Sequence, residues 1–98
     1  MTGDPEAVDG AAMPDAVRLR RALWRASHRG TKEMDLMLGR FAEAHAPRMT
    51  VGELSRFEKL LELPDPDLSR WLLDPTPSAD HEWAADIATI RRFHLLDT

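Results

Sequence analysis

The sequence contains no cysteine and no tyrosine, and only five of its 98 residues are glycine. Without cysteine there can be no disulfide scaffold, thiolate zinc site, iron–sulfur cluster or thiol nucleophile, and a reducing compartment is indicated. Long apolar runs are also lacking, since no stretch approaches the roughly 18 consecutive residues of a membrane span. The N-terminus has neither a secretory apolar region nor the acid-poor, Arg-rich character of a transit peptide. We therefore expect a cytoplasmic protein without direct membrane insertion.

What is present is the composition of an ordinary small globular protein. Hydrophobic residues make up 43% of the chain and charged residues 31%, so the sequence is not poor enough in apolar residues to be disordered. A chain of this length forms one domain at most. Folding at this size hides only about 60 to 65% of the surface of the unfolded chain, so every apolar helix face is needed for the core. A buried catalytic chamber is not expected.

The chain divides into an N-terminal arm and one helical domain. Residues 1–14 are rich in Gly, Ala, Asp and Pro without apolar periodicity, which predicts a disordered arm. Residues 15–98 show apolar spacings of three and four in five segments, which is typical of helices. The predicted helices begin at Asp15, Thr31, Thr50, Asp65, and either Ser78 or Asp80. Because no segment alternates like a strand, the predicted fold class is all-α, a compact bundle of about five short helices.

The predicted core consists of the residues that share a face of each helix. In chain order they are Leu19, Ala22, Leu23 and Ala26; Met34, Met37, Leu38 and Phe41, widened by Leu36 and Ala42; Leu54, Phe57, Leu60 and Leu61; Leu68, Trp71 and Leu72; and Trp83, Ile87, Ile90 with either Phe93 or His94. This pattern predicts that the second helix is the most buried.

Residue patterns for catalysis or metal binding are not found in the sequence. The glycines are not clustered as in a phosphate-binding loop or a dinucleotide fingerprint. The four histidines never fall at the four-residue helical spacing with which two imidazoles bind one metal, and none forms a recognisable nucleophile pattern with Ser and a carboxylate. We therefore expect no catalytic residue, no metal and no tightly bound cofactor, and interpret the chain as a binding protein.

The first predicted helix carries a basic face of Arg18, Arg21 and Arg25. Residues 16–48 hold eight basic and three acidic residues, whereas residues 50–90 hold three basic and nine acidic ones. Three interpretations stay open: a solvated helix face, a nucleic-acid surface and a docking surface for an acidic protein. Against nucleic acid, the helix after the turn is too apolar to lie in a major groove, and the acidic second half would oppose binding by charge alone. A small nucleic-acid-binding protein remains the alternative function.

The turn between the first two helices concentrates charge. Arg29 could complement the negative end of the first helix, Gly30 could supply a positive backbone angle, and Glu33 could favour the positive start of the second helix. Side chains on a turn between two helices are already ordered, so presenting them to a partner costs little entropy. The turn is therefore also a candidate hot spot for docking.

Two segments in register resemble the succinate dehydrogenase flavinylation factors, a family of small all-helical bacterial and mitochondrial proteins. The first is the motif Arg-Gly-x-x-Glu, met by Arg29, Gly30 and Glu33 and followed by Asp35 and hydrophobic residues. The second is the stretch around residues 57–72, which contains Phe57, Leu60, Leu61, Glu62, Asp65, Pro66, Asp67, Leu68, Trp71 and Leu72. The resemblance runs from about residue 20 to residue 93. The chain departs from the family at His28, where a second Arg is frequent, and at Thr31, where an apolar residue is common.

The resemblance implies an assembly chaperone rather than an enzyme. Such a protein binds the flavoprotein subunit of succinate dehydrogenase, and sometimes of fumarate reductase, and promotes covalent attachment of FAD to a histidine of that partner. FAD thus belongs to the partner. The implied partner-binding residues are Arg29, Gly30 and Glu33, joined by Arg25, His28 and Asp35, and the implied location is the bacterial cytoplasm.

Overall fold

A computed structural model describes residues 15–74 and 81–97, with the side chains of residues 96 and 97 left out. Within these ranges the chain forms five α-helices, one 3-10 turn and no strand, so the all-α prediction is confirmed. The helices are α1 (Ala16–Ser27), α2 (Lys32–His45), α3 (Val51–Leu61), α4 (Asp65–Leu73) and α5 (Ala84–Asp97), and the 3-10 turn (Ala46–Arg48) follows α2. The predicted arm, residues 1–14, lies outside the described residues. None of the helices described is long and apolar enough to cross a membrane.

Side chains at the helix starts explain where α1 and α3 begin. Asp15 accepts a hydrogen bond from the backbone N–H of Arg18 at 2.8 Å, and so caps α1. Thr50 and Glu53 form the predicted capping box at the start of α3, each side chain accepting from the other residue's backbone N–H. The start of α4 differs by one residue from the prediction, because Pro64 occupies the cap position and Asp65 is the first helical residue.

The core lies where the predicted apolar faces of the five helices meet. Buried side chains come from α1 (Ala22, Ala26), α2 (Met34, Leu38, Phe41, Ala42), α3 (Leu54, Phe57, Leu60, Leu61), α4 (Leu68, Leu72) and α5 (Ile87, Ile90), together with Ala46 of the 3-10 turn. Among the described residues α2 supplies as many buried hydrophobic side chains as α3, and it contacts α1, α4 and α5. The helical faces read from periodicity are therefore those that pack.

Two details of the predicted core and one predicted helix start differ from the structure. Leu36 does not widen the core, because it is 53% exposed on the outer side of α2. Trp71 lies at the edge of the core, half-buried, with its ring stacked on His81 at a centroid distance of 4.2 Å. The last helix begins at Ala84; the starts predicted at Ser78 and Asp80 lie outside the described residues, and residues 81–83 are not helical.

The last helix contributes both of the residues that the prediction left as alternatives. Phe93 packs against the core, and its ring meets that of Phe41 edge to face with centroids 5.8 Å apart. His94 lies at the core edge with its Nε2 2.7 Å from the carbonyl oxygen of Met37. A hydrogen bond there requires the proton to be on Nε2, because a carbonyl can only accept.

A close contact between α1 and α2 holds these two helices together as a hairpin. A Cβ atom placed on Gly39 would lie 3.1 Å from the Cβ of Ser27 and 3.2 Å from its Cα, closer than side chains normally approach. Glycine therefore permits this helix spacing. At the other end of α1, Arg18 donates to both carboxylate oxygens of Glu58 and to the hydroxyl of Ser55 on α3. The hairpin is thus fixed to α3.

Leu36 and Leu38 differ in burial, so their substitution should affect the stability of the protein differently. Leu38→Ala should lower the free energy of unfolding by about 2 to 5 kcal/mol, because it empties a fully buried position. Leu36→Ala, two residues away on the same helix, should change it by less than about 0.5 kcal/mol. Urea unfolding followed by circular dichroism measures both. Equal losses for the two variants would show that Leu36 is packed as the periodicity alone predicts.

Candidate protein-binding site

The turn between α1 and α2 is closed by hydrogen bonds to its backbone. One carboxylate oxygen of Asp35 accepts from the backbone N–H of Arg29 and, at 3.4 Å, from that of Gly30. Thr31 caps α2, because its hydroxyl accepts from the backbone N–H of Met34 at 3.2 Å. The first turn of α2 therefore orients the residues that precede it.

Gly30 has a backbone conformation that favours glycine. Its φ is +138°, a region that residues with a Cβ atom rarely adopt, so the predicted positive angle is confirmed. A Cβ atom at this position would not clash with its neighbours, because it would lie 3.5 Å from an oxygen of Asp65, an ordinary van der Waals distance. The residue itself is exposed. A side chain at this position would therefore be strained and would project from the turn.

Arg29 connects the turn to the corner between α3 and α4. Its guanidinium donates to the carbonyl oxygen of Leu61 at 2.5 Å, to that of Leu63 at 3.2 Å, and twice to one oxygen of Asp65 at 2.7 and 2.9 Å. The side chain is only 10% exposed. The carbonyls at the end of a helix have no partner within the helix, so a cation that reaches them is stabilising. The expectation that Arg29 complements the end of its own helix is wrong; it serves the end of α3.

Glu33 is presented to solvent instead. It lies in the first turn of α2 with an exposed side chain, and no hydrogen bond or ion pair to its carboxylate occurs within the described part of the chain. Its negative charge stands at the positive end of the helix dipole, as predicted, which favours the helix without occupying the carboxylate oxygens. These oxygens are therefore available to a partner.

Two further residues of the predicted site lie at the end of α1. His28 ends the helix, is exposed, and stacks its ring on that of Trp24 with centroids 4.2 Å apart and an angle of 11° between the rings. Arg25 is exposed one helical turn earlier. The structure thus brings the six predicted residues together around one turn, with Arg25, His28, Gly30 and Glu33 exposed and with Arg29 and Asp35 partly buried.

Two residues of this region were not predicted from the sequence. The sequence indicates that Asp65 is a helix cap, but in the structure it forms an ion pair with Arg29, 36 residues earlier. Trp24 was not singled out at all, yet it is 61% exposed beside the turn. A signal for Trp24 was available, because it does not share the face of α1 that carries Ala22 and Ala26. No local signal connected Asp65 with Arg29.

A cleft lies near the C-terminal end of α2, away from the turn. It has a volume of about 390 Å³, and its lining includes the apolar side chains of Phe41, Phe57 and Ile90 and the charged Arg56 and Asp86. Arg56 donates to Asp86 at 2.7 Å and lies over the ring of Trp83. The hydrogen bond with Asp86, together with the negative charge of that carboxylate, raises the pKa of Arg56. Arg56, one of two arginines in the lining of the cleft, is therefore already paired.

The described residues 15–74 and 81–97 contain no group of three or more His, Cys, Asp or Glu side chains that could hold a metal ion. The site around the turn consists of exposed charged and aromatic side chains on a fixed backbone. Such an arrangement can bind another molecule. The hydroxyl of Ser27 lies 3.2 Å from the Nδ1 of His28, but it also donates to the carbonyl oxygen of Leu23 at 2.9 Å. Exposed charged and aromatic side chains of this kind are found in protein-binding surfaces.

Comparison with known proteins matches residues 20–94 to the family described as flavinator of succinate dehydrogenase. The chain is similar to the FAD assembly factor SdhE of Acetobacter pasteurianus, with 50% identity over 62 residues, which are 63% of this chain and 57% of the relative. It is 36% identical over 67 residues to the mitochondrial succinate dehydrogenase assembly factor 2 of Cryptococcus neoformans, covering 68% of this chain and 38% of the relative. The FAD assembly factor SdhE of Pseudomonas aeruginosa is 36% identical over 61 residues, 62% of this chain and 71% of the relative. No solved structure matches the chain significantly.

The contacts of Arg29 predict a larger effect on stability than its position on a surface turn suggests. Arg29→Ala should lower the free energy of unfolding by about 2 to 3 kcal/mol, because it leaves the Leu61 and Leu63 carbonyls and the Asp65 carboxylate without their donor. Arg25→Ala, an exposed arginine one helical turn earlier, should stay within about 0.5 kcal/mol of the natural protein. Urea unfolding of the two variants compares them directly. If both are equally stable, Arg29 does not hold the α3–α4 corner.

Proposed function

The chain belongs to the family of flavinators of succinate dehydrogenase, and on that premise we propose that it acts as an assembly chaperone. It binds the flavoprotein subunit of succinate dehydrogenase in the cytoplasm and promotes covalent attachment of FAD to that subunit. The flavoprotein subunit of fumarate reductase is a second candidate partner. FAD and the histidine to which it becomes linked belong to the partner, so this chain is not itself an enzyme. The chain spans 57% and 38% of the length of the Acetobacter and Cryptococcus relatives.

The construction of the turn is the observation that carries this proposal. Arg29 and Asp35 fix its backbone from the inside, whereas Gly30 and Glu33 stay exposed. A surface that is ordered before binding loses little entropy when a partner docks. Glu33 would accept hydrogen bonds from donors of the partner near its flavin site, and Gly30 would allow the partner's backbone to come close.

The chaperone acts by selecting a conformation of its partner. Docking of the turn holds the flavoprotein in a state that is competent for self-catalysed attachment of FAD. Binding raises the population of that state only by as much as it prefers that state to the others. A tenfold shift requires about 1.4 kcal/mol, which one good charged contact can supply.

Nucleic-acid binding, the alternative function, is less well supported. The names of the relatives describe assembly of FAD and of succinate dehydrogenase. Within α1, Arg18 is used inside the protein, because it pairs with Glu58 on α3 at 2.8 Å. One of the three arginines of the expected basic face is therefore engaged within the protein, which weakens the case for nucleic-acid binding.

Gly30→Arg separates folding from docking. The strain of a side chain at this positive φ costs about 1 to 3 kcal/mol, which a domain stable by roughly 5 to 10 kcal/mol survives. The new side chain would nevertheless stand between the turn and the partner. We expect a folded variant that does not support flavinylation, measured by in-gel flavin fluorescence of the denatured flavoprotein subunit in cells whose only copy of this protein is the variant.

Gly52→Arg is the matched control, because Gly52 is an exposed glycine within the first turn of α3 and has a negative φ. It introduces the same side chain away from the turn between α1 and α2. This variant should support normal flavinylation. Full activity of Gly30→Arg would remove the turn from the interface.

Glu33→Ala distinguishes a helix-stabilising role from a partner-binding role. If Glu33 only favours the helix dipole, its loss costs about 0.3 to 1 kcal/mol of stability and leaves binding intact. If its carboxylate makes a desolvated contact with the partner, truncation weakens the complex by about 2 to 5 kcal/mol. We expect the second result, with a nearly normal melting curve and a flavoprotein band that shows no flavin fluorescence.

Glu43→Ala is the control for this experiment. Glu43 is an exposed glutamate in the last turns of the same helix. Its removal should leave both the melting curve and the fluorescent band unchanged. A normal fluorescent band from Glu33→Ala would contradict the role assigned to its carboxylate.

A further inference from the structure

Trp24 exposes its large side chain on the outer side of α1. It is 61% exposed, whereas Ala22 and Ala26 on the core side of α1 are buried. Val17, seven residues earlier, is 55% exposed. Since seven residues are two helical turns, Val17 and Trp24 lie on the same outer face. The amphipathic helix thus carries two large apolar residues on the side that faces away from the core.

The indole is already held in place. The ring of His28 stacks on it, with centroids 4.2 Å apart and nearly parallel planes, and the Nδ1 of His28 lies 2.7 Å from the carbonyl oxygen of Trp24. An ordered aromatic side chain loses little entropy on binding, and tryptophan is among the residues most often found as binding hot spots. His28 is followed directly by Arg29 and Gly30, so the stacked pair is continuous with the turn.

The charge of this face is positive. Arg21 and Arg25 are exposed, and neither forms an ion pair with any residue in the described ranges. Arg21, Trp24 and His28 follow at spacings of three and four and therefore form one stripe of the helix surface together with Val17. We call Val17, Arg21, Trp24 and His28, with Arg25 beside them, the α1 stripe.

We propose that the α1 stripe is a second part of the docking surface, which binds an acidic surface of the same flavoprotein subunit with Trp24 as its central anchor. This inference rests on the proposed function, because the partner is the one that the turn engages. Unpaired arginines around an aromatic residue complement acidic groups, and they direct the approach of the partner as well as its orientation. A second copy of this chain fits the α1 stripe less well, because two positive stripes would repel each other.

The test compares affinities of purified proteins for the purified flavoprotein subunit by isothermal titration calorimetry. Trp24→Ala should bind about 30-fold more weakly or worse, as expected for loss of a hot spot. Leu73→Ala is the control, because Leu73 is a comparably exposed apolar residue at the end of α4. It should bind like the natural protein. Circular dichroism verifies that both variants keep their helices.

Arg21→Glu tests the charge of the α1 stripe separately. It should slow association with the flavoprotein by about tenfold at low salt, and the difference should shrink as salt is raised, because screening weakens the attraction. An association rate that does not depend on this charge would contradict an acidic partner surface.

Other outcomes overturn the inference in distinguishable ways. If Trp24→Ala binds the flavoprotein normally while Gly30→Arg does not, the α1 stripe is outside the interface and the proposed function still stands. If the natural protein does not bind the flavoprotein at all, the proposed function fails and the inference fails with it. If Trp24→Ala loses affinity for single-stranded or duplex DNA but not for the flavoprotein, the stripe is a nucleic-acid surface.

Discussion

The ion pair and hydrogen bonds of Arg29 hold the candidate site in place. A single guanidinium joins the α1–α2 turn to the carbonyl of Leu61 at the end of α3, to that of Leu63 after the helix, and to Asp65, the first residue of α4. It is largely buried, so its contacts act in a medium where charges interact more strongly than in water. This one side chain thus connects the turn directly to two other elements of the protein.

The three residues that define the Arg-Gly-x-x-Glu motif have different structural roles. The arginine faces the protein, the glycine allows the backbone to turn, and the glutamate faces solvent. Under the proposed function, Arg29 would therefore contribute to binding by positioning the turn, because its side chain is only 10% exposed. Arg29 is a positioning residue in this account, and loss of flavinylation on its substitution would not by itself place it in the interface.

Most of the fold could be predicted from the sequence because its signals are local. The capping box of Thr50 and Glu53 and the spacing of apolar residues act within one or two helical turns. The sequence places Leu36 in the core because a hydrophobic side chain is expected to be buried. Hydrophobicity does not show whether another helix covers that position. The contact between Arg29 and Asp65 could not be predicted, since it joins residues 36 positions apart whose meeting depends on how three helices pack.

The central claim is that the turn between α1 and α2 docks on the flavoprotein subunit. Because the chain has no cysteine, a single one introduced as Lys32→Cys can carry a photo-crosslinker at an exposed position beside Glu33. Glu43→Cys, about 16 Å further along the same helix, provides the comparison. We predict that the crosslinker at position 32 joins this chain to the flavoprotein subunit in cells, whereas that at position 43 does not. Crosslinking from position 43 alone, or from neither position, would contradict the account.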